Sequence, residues 1–478
     1  MSRDAIVQVK RLRTIGELRD RLSVLGIADQ LGVDDAVDPD GPLASGFSFT
    51  DGSAGTRTIG NRFTALPMEG WDGDSHGRPT ELVHRRWRRF GESGAKLVWG
   101  GEAVAVRPDG RANPRQLVVD RSSVGDLAAL RADLVDAHVG AHGDDDDLVV
   151  GLQLTHSGRW SRPTGSSEPR LAYHHPVLDQ RVAMDASHVL SDADLDELIG
   201  SYVDAAVLAT DAGFDFVDVK HCHGYLLHEL LGAVDRGGAY GGSFEHRTTF
   251  LRRTVEGIRA RAPSLAIGVR LSAYDVVPYE AGVDGVGVPV AEAADVVQYL
   301  FDLDGAHRFL DLCRELGVGL VCITAGSPYY NPHVQRPAFF PPSDGYTPPE
   351  DPLVGAARMI AACAELAHAH PELAVVGSGY SYLQQWLPNA AQHTIRTGGA
   401  ASVGIGRGML SYPALPADVL AGRALDTSRL CRTFSDCTTA PRNGLVSGCF
   451  PLDDFYKDRP ERVKLAAIKK ATRKRTRR

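Results

Sequence analysis

Eight short apolar runs recur along this chain, and an amphipathic helical pattern follows each of them. The runs end near Pro67, Gly100, Leu154, Lys220, Leu271, Thr324, Ser378 and Ile405. The helical patterns centre near residues 87, 130, 203, 252, 311, 361 and 388, with a last short one after Pro416. Strand–helix alternation repeated eight times predicts a closed parallel sheet with helices outside it, an α/β fold of the (β/α)8 TIM-barrel class. An open doubly wound sheet is the alternative. It requires a glycine-rich fingerprint after its first strand, and Leu66-Pro-Met-Glu-Gly70 is not one. The chain's 478 residues exceed a barrel's needs. Residues 1 to 45 read as an N-terminal extension, 46 to 422 as the barrel and 423 to 478 as a C-terminal tail. In the extension, Thr14-Ile-Gly-Glu17 has capping-box spacing, with Ile15, Leu18, Leu22 and Leu25 on one helical face. That face predicts packing on the barrel's outside or against a second subunit, so a homo-oligomer is admitted.

A barrel presents its chemistry at the C-terminal ends of its strands. The richest such end lies in Gly213 to Arg247, GFDFVDVKHCHGYLLHELLGAVDRGGAYGGSFEHR. Phe214 to Val219 reads as a buried strand. Lys220, His221, His223 and Tyr225 follow it at once, then a glycine-rich turn and Ser243, a cap for a helix starting near Phe244. Three strand-to-helix loops are long: Ser157 to His188, Ala273 to Ala291, and Gly326 to Pro352. The third is rich in proline and aromatics, and such loops serve as lids, as binding loops or as rigid covers.

The wording HGYLLHELL followed by R…YGGSFEHR resembles the old yellow enzyme family of FMN-dependent oxidoreductases. The likeness spans roughly residues 55 to 420 and continues weakly to about 456. Three positions depart from the family pattern, Lys220, Val234 and Gly238. The resemblance implies an FMN site at the strand ends. Pro67 and Met68 would close strand one. Ala103, in Gly101-Glu102-Ala103, would follow strand two. Gln153, in GLQLTHSGR, would bridge ring amides, and Arg270, in IGVRLSA, would sit beside the ring atom where the reduced flavin gathers charge. The phosphate would lie on Ser378-Gly379 and Gly406-Arg407, since the loops after strands seven and eight commonly hold phosphate. Taken singly, an arginine at a strand end can pair with a carboxylate and a glycine can turn the chain.

By the same resemblance, His223 and Lys220 would hold the substrate's electron-withdrawing group, and Tyr225 would donate a proton. Lys220 stands where the family has His or Asn. As a point-charge donor it favours a carboxylate or an enolate oxygen, unless a nearby carboxylate claims it. The implied activity is NAD(P)H-dependent reduction of an activated C=C bond. Amine or C–H dehydrogenation, as in trimethylamine dehydrogenase-like members, and a non-catalytic flavin-binding barrel are the alternatives. His221-x-His223, two residues after Asp218, also resembles a metal-ligand pair. Strand alternation sets both histidines on one face, whereas the flavin reading sets His221 on the other. No partner ligands stand at other strand ends, so no metal is expected.

The tail keeps a C-x11-C spacing, Cys437 to Cys449, similar to the iron–sulfur peptide of larger relatives. Leu430 and Thr433 stand where two more cysteines are needed, and Cys431 is off register, so no cluster is expected. The end, AAIKKATRKRTRR, reads as a solvated basic tail. A net charge of −8 gives no support to nucleic-acid binding. No apolar run is long enough for a bilayer. The charged N-terminus lacks a signal peptide's apolar region, and seven scattered cysteines fit a reducing cytoplasm. The expected partner is a small-molecule substrate.

Overall fold

The computed structural model describes residues 6–290 and 302–475. Residues 1–5 of the extension, Ala291 at the end of the second long loop and residues 476–478 of the basic end lie outside them. An antiparallel hairpin, β1 (Phe47–Asp51) and β2 (Gly55–Ile59), comes first. Barrel strands β3 (Phe63–Ala65) and β4 (Leu97–Val98) follow, and β5 (Ala103–Ala105) continues β4 along the same neighbour after a break. Next come β6 (Val149–Thr155), β7 (Phe216–Val219) and β8 (Ala266–Ser272). After a small hairpin, β9 (Tyr279–Ala281) and β10 (Gly287–Pro289), the barrel finishes with β11 (Leu320–Thr324), β12 (Ala374–Gly377) and β13 (Ser402–Ile405). β13 pairs with β3, and β4 pairs with both β3 and β6, so eight parallel strands close on themselves. This is the expected (β/α)8 barrel.

Helices Glu81–Gly91, Val124–His142, Asp192–Asp211, Thr249–Arg261, Asp304–Glu315, Pro352–Ala369, Leu387–Arg396 and Leu415–Leu420 lie where the apolar periodicity set them. Asp192–Asp211 shows why they form. Ser191 and Asp194 make a reciprocal capping box, and Leu195, Leu198, Ile199, Tyr202, Ala206 and Ala209 turn one buried stripe onto the sheet. Inside the barrel, Trp99 meets Phe216 edge-on with ring centroids 5.3 Å apart, and the hairpin's Phe47, Phe49 and Ile59 join the same cluster. Gly151 makes room for that layer, because a Cβ there would lie 2.2 Å from the Phe216 ring.

The N-terminal helix, Ile15–Val24, has the expected Thr14–Glu17 capping box and buries Leu18 and Leu22. It lies on the outside of its own barrel. Arg21 pairs with Asp351, and Gln385 donates to the carbonyls of Val9 and Leu12 at 3.0 Å.

The C-terminal segment is ordered ahead of the basic end, and within that end Ala466, Ala467, Lys470 and Ala471 are exposed, as a solvated tail requires. It forms helices Asp436–Arg442, Asp454–Lys457 and Glu461–Arg475. Ala440, Phe450, Tyr456 and Leu465 make a small core of their own, and Lys469 pairs with Asp436. Leu465 and the Lys469–Asp436 pair dock the last helix, whose Arg462, Val463, Lys464 and Lys470 stay exposed. Ser447 N–H donates to Asp72 Oδ1 at 2.8 Å, tying the segment to the barrel.

Asp72 belongs to a buried triad, in which Arg86 pairs with both Asp72 and Glu102. One cation between two carboxylates leaves an excess negative charge out of water. Burial raises the Glu102 pKa to about 7, against the pull of Arg86. Unfolded Glu releases its proton near 4.3, so between roughly pH 4.5 and 7 the folded chain keeps a proton that the unfolded chain has lost. This term therefore weakens the fold as pH rises, by up to about 1.4 kcal/mol per unit. Urea unfolding at pH 5 and pH 7.5 should show Glu102→Gln gaining stability relative to the parent at the higher pH. A pH-independent difference would mean that Glu102 is ionised throughout.

Candidate active site

The C-terminal ends of the strands converge on one cavity of about 200 Å³. Pro67 and Met68 reach it after β3, Gln153 from β6, and Lys220, His223 and Tyr225 after β7. Arg270 enters from β8, Ser378 and Gly379 after β12, and Gly406 and Arg407 after β13. Ala103 does not line it. The chain breaks after β4 at Gly100 (φ +107°), and the resumed strand engages the Ala103 carbonyl with Gln116 Nε2 at 3.2 Å.

Buried Asp218 sets the orientation of one wall. It accepts from Trp99 Nε1 at 2.7 Å, from Gln153 Nε2 at 2.6 Å and from the Arg270 backbone N–H at 2.8 Å. With its amide nitrogen held there, Gln153 offers Oε1 as an acceptor, which narrows the expected bridging role to one end of the amide. Arg270 is 6% exposed, its Nε is buried without a partner, and among the described residues no carboxylate pairs with it.

After β7 the regular alternation breaks, because His223 takes a left-handed backbone with φ +68°. Ser272 Oγ accepts from its N–H at 3.1 Å, and Ser327 Oγ donates to its carbonyl at 3.0 Å. These bonds hold the unusual conformation. His221 consequently packs outward, 5.2 Å from the Phe309 ring, while His223 lines the cavity. The two histidines diverge and do not form a ligand pair. Burial, then Arg270 and Lys220, push the His223 pKa well below its ordinary value, so its imidazole is neutral. Gln335 Nε2 lies 3.3 Å from His223 Nε2; with that nitrogen accepting, Nδ1 carries the proton.

Lys220 is 3% exposed, and its ammonium sits 4.0 Å from the Tyr225 ring centroid. Among the described residues it makes no ion pair; burial lowers its pKa, and Glu69 is the strongest opposing attraction. Tyr225 donates to Glu69 Oε2 at 3.2 Å and shares a hydrogen bond with Tyr329 Oη at 3.1 Å. Burial first, then Glu69 and Tyr329, raise its pKa well above 10.

On the opposite side, Gly379 has φ +100°, and a Cβ there would touch Met359 Sδ at 3.4 Å; one on Gly406 would touch Met68 Sδ at 3.3 Å. Arg407 donates from Nη2 to the Pro337 carbonyl at 2.8 Å, and its Nη1 is buried without a partner. Arg336, from the loop after β11, bonds Thr438 and also has a buried, unpartnered Nε. Burial and repulsion from Arg407 pull its pKa down to about 10. Two adjacent guanidiniums with orphaned N–H groups, beside two glycines, fit a bound dianion such as a phosphate. Arg270 and Gln153 offer a planar ring one cation and one acceptor. The residues present therefore fit FMN.

Sequence reasoning missed Arg336, which lies in a proline-rich loop with no periodicity, and Glu69, whose only signal is a charge directly after Pro67-Met68. It also missed the C-terminal wall, Cys437, Thr438, Pro441 and Arg442. That wall rests on the third long loop: Phe339 N–H donates to Thr433 Oγ1 at 3.1 Å, and Ser435 Oγ donates to the Phe340 carbonyl at 2.6 Å. Leu430, 4% exposed, packs into the main core where the cluster peptide would need a thiolate.

The model of the NADH:flavin oxidoreductase / NADH oxidase family matches residues 52–306, more than half of the chain. The chain is 30% identical to the NADPH dehydrogenase of Bacillus velezensis over 233 residues, 48% of this chain and 64% of that protein. It is 29% identical to the NADPH dehydrogenase of Clostridium acetobutylicum over 252 residues, 51% of this chain and 67% of that one. In fold it is similar to histamine dehydrogenase from Rhizobium sp. 4-9, with TM-score 0.64 and 19% identity over 88% of this chain and 53% of that one. The old yellow enzyme homologue from Zymomonas mobilis gives TM-score 0.54 and 18% identity over 80% of this chain and 93% of that one. The chain thus spans under two thirds of the B. velezensis relative and about half of the histamine dehydrogenase chain.

Proposed function

The chain belongs to the NADH:flavin oxidoreductase / NADH oxidase family, and from that membership we propose that it is an FMN-dependent, NAD(P)H-driven reductase of activated C=C bonds. Its substrate is a small molecule, and an acid is favoured over a neutral enone. The observation that carries this reading is the wall after β7, where an unpaired buried ammonium, a neutral imidazole N–H and a protonated phenol face one cavity. NADPH dehydrogenase relatives support the direction of the reaction.

FMN, when bound, supplies two-electron hydride chemistry. Arg407 and Arg336 would hold its phosphate, with Ser378, Gly379 and Gly406 leaving room for backbone approach. Pro67 and Met68 would border the ring, Gln153 Oε1 would accept from it, and Arg270 would offer the cation that balances charge gathering there. Lys220 and His223 Nδ1–H bind the oxygen of the substrate's electron-withdrawing group, where negative charge grows as the alkene is reduced. Tyr225 O–H gives the proton to the adjacent carbon, which is basic enough to take it from a phenol. Tyr329, stacked on Trp160 with centroids 4.4 Å apart, covers the site from the loop after β11. No described helix is long and apolar enough to cross a membrane. Seven unbridged cysteines support a reducing, cytoplasmic setting.

Amine oxidation is a second reading, and Glu69 favours it, because a carboxylate among Trp71, Tyr225 and Tyr329 suits a cation. Anaerobic titration separates the readings. Bleaching of a yellow protein by NADH or NADPH and recolouring by an enone or enoate supports the reductase. Bleaching by an amine alone supports the dehydrogenase, and inertness to both supports a binding barrel. Lys220→His replaces the ammonium with an imidazole. It should shift the ratio of kcat/KM for crotonate over cyclohex-2-enone by about tenfold or more toward the enone, the magnitude of one charge-assisted hydrogen bond. An unchanged ratio would remove Lys220 from carboxylate recognition.

A further inference from the structure

A proton donor must be refilled. If Tyr225 gives its proton once per turnover, as the proposed function has it, the phenolate left behind must regain one before the next. Tyr225 is only 3% exposed, so bulk water does not reach it freely. Its oxygen touches two polar groups, Glu69 Oε2 and Tyr329 Oη. Lys220 lies over the ring face rather than at the oxygen. Tyr329 is a poor source, because burial pushes its pKa up to about 12, and a phenol that refills a phenolate merely moves the vacancy one residue along. A carboxyl group is about six pKa units more acidic than a phenol. In its protonated form it gives up the proton to a phenolate downhill, and as a carboxylate it recovers one from water. Glu69 is only partly buried, with Oε2 on Tyr225 and Oε1 buried without a partner.

We propose that Glu69 is the positioning residue that holds the Tyr225 hydroxyl and returns its proton after each turnover. The balance is simple. The substrate C–H bond forms as the Tyr225 O–H breaks. Glu69, the carboxylate that accepts from Tyr225, then takes one proton from water, leaving hydroxide to the bulk, and its new O–H breaks as the Tyr225 O–H reforms. No electron moves in this relay. The titratable and charged groups around Glu69 are Lys220 and Tyr225 after β7, Tyr329 after β11 and Glu102 before β5.

The test uses the flavin-loaded full chain with cyclohex-2-enone and crotonate, comparing Glu69→Gln, Glu69→Ala and Tyr225→Phe. Stopped-flow mixing of pre-reduced enzyme with alkene reads the first proton transfer, and steady-state turnover in weak buffer at pH 8 reads the refilling. Glu69→Gln should lower the first by less than about threefold and the second by about tenfold or more, within the range for losing a general acid. Added formate should restore turnover to Glu69→Ala. Equal losses in both phases, or no rescue by formate, would overturn the relay and leave Tyr225 as donor if Tyr225→Phe slows the first phase. A first phase at parental speed in Tyr225→Phe, or no alkene turnover by the parent, would overturn the donor assignment and the relay with it.

Discussion

Tyr225→Phe should slow reoxidation of the reduced protein by an activated alkene by about 10²–10⁴-fold, the usual worth of a general acid, while reduction by NAD(P)H stays nearly intact. The asymmetry is the informative part. Phenylalanine keeps the ring under Lys220 and the packing against Tyr329, so the cavity's shape survives. Only the O–H is lost, together with its bonds to Glu69 and Tyr329. The raised pKa of Tyr225 keeps the phenol protonated across the working range, so the rate should show no break from its own ionisation below about pH 10. Rapid-mixing kinetics of each half-reaction checks this. Parental speed in the alkene phase would transfer the role to Tyr329, whose hydroxyl is the next within reach.

Arg407→Ala should weaken FMN affinity by about 10- to 150-fold, corresponding to roughly 1.5–3 kcal/mol for hydrogen bonds to a charged group. A merely structural arginine would give the opposite pattern in the flavin-free protein. There Arg407 and Arg336 repel each other, with no carboxylate pairing with either among the described residues. Removing one guanidinium relieves that repulsion but gives up the bond to the Pro337 carbonyl, so the flavin-free chain should change little, while the loaded chain loses its ligand-derived stabilisation. Fluorescence of released flavin and thermal melts of both forms read the two effects. Undiminished affinity, or equal destabilisation of both forms, would remove Arg407 from the phosphate.

Much of this was legible in the sequence, for identifiable reasons. A barrel strand buried on both faces is a short apolar run, and each crossover helix carries a 3.6-residue stripe, so eight repeats leave little freedom. Residues following such runs necessarily gather at one rim, as Lys220, Arg270 and Arg407 do. Glu69 and the C-terminal wall escaped, and three positions show why sequence pattern alone was insufficient. Ala103 fell off the cavity because a left-handed glycine interrupts its strand, and period-two counting does not see that break. The sequence left His221 and His223 open between one face and two; they part as the flavin reading expected, because the φ of +68° at His223 is held by hydroxyls from Ser272 and Ser327, far away in the chain. Arg336 has no pattern of its own; its neighbour Arg407 arrives from a different strand end.

The wall built by Cys437 to Arg442 also fixes an order of events. The last barrel strand ends at Ile405, whereas the wall is encoded some way downstream. At about 5–20 residues per second of synthesis, several seconds separate the two. The barrel can close while its upper mouth still stands open, and FMN arriving in that interval meets a wider door than it would find afterwards. Occupancy should then make docking of the last helices more favourable, because whatever binds only the closed form stabilises it by mass action. Flavin content thus becomes a gauge of whether the end of the chain has come home.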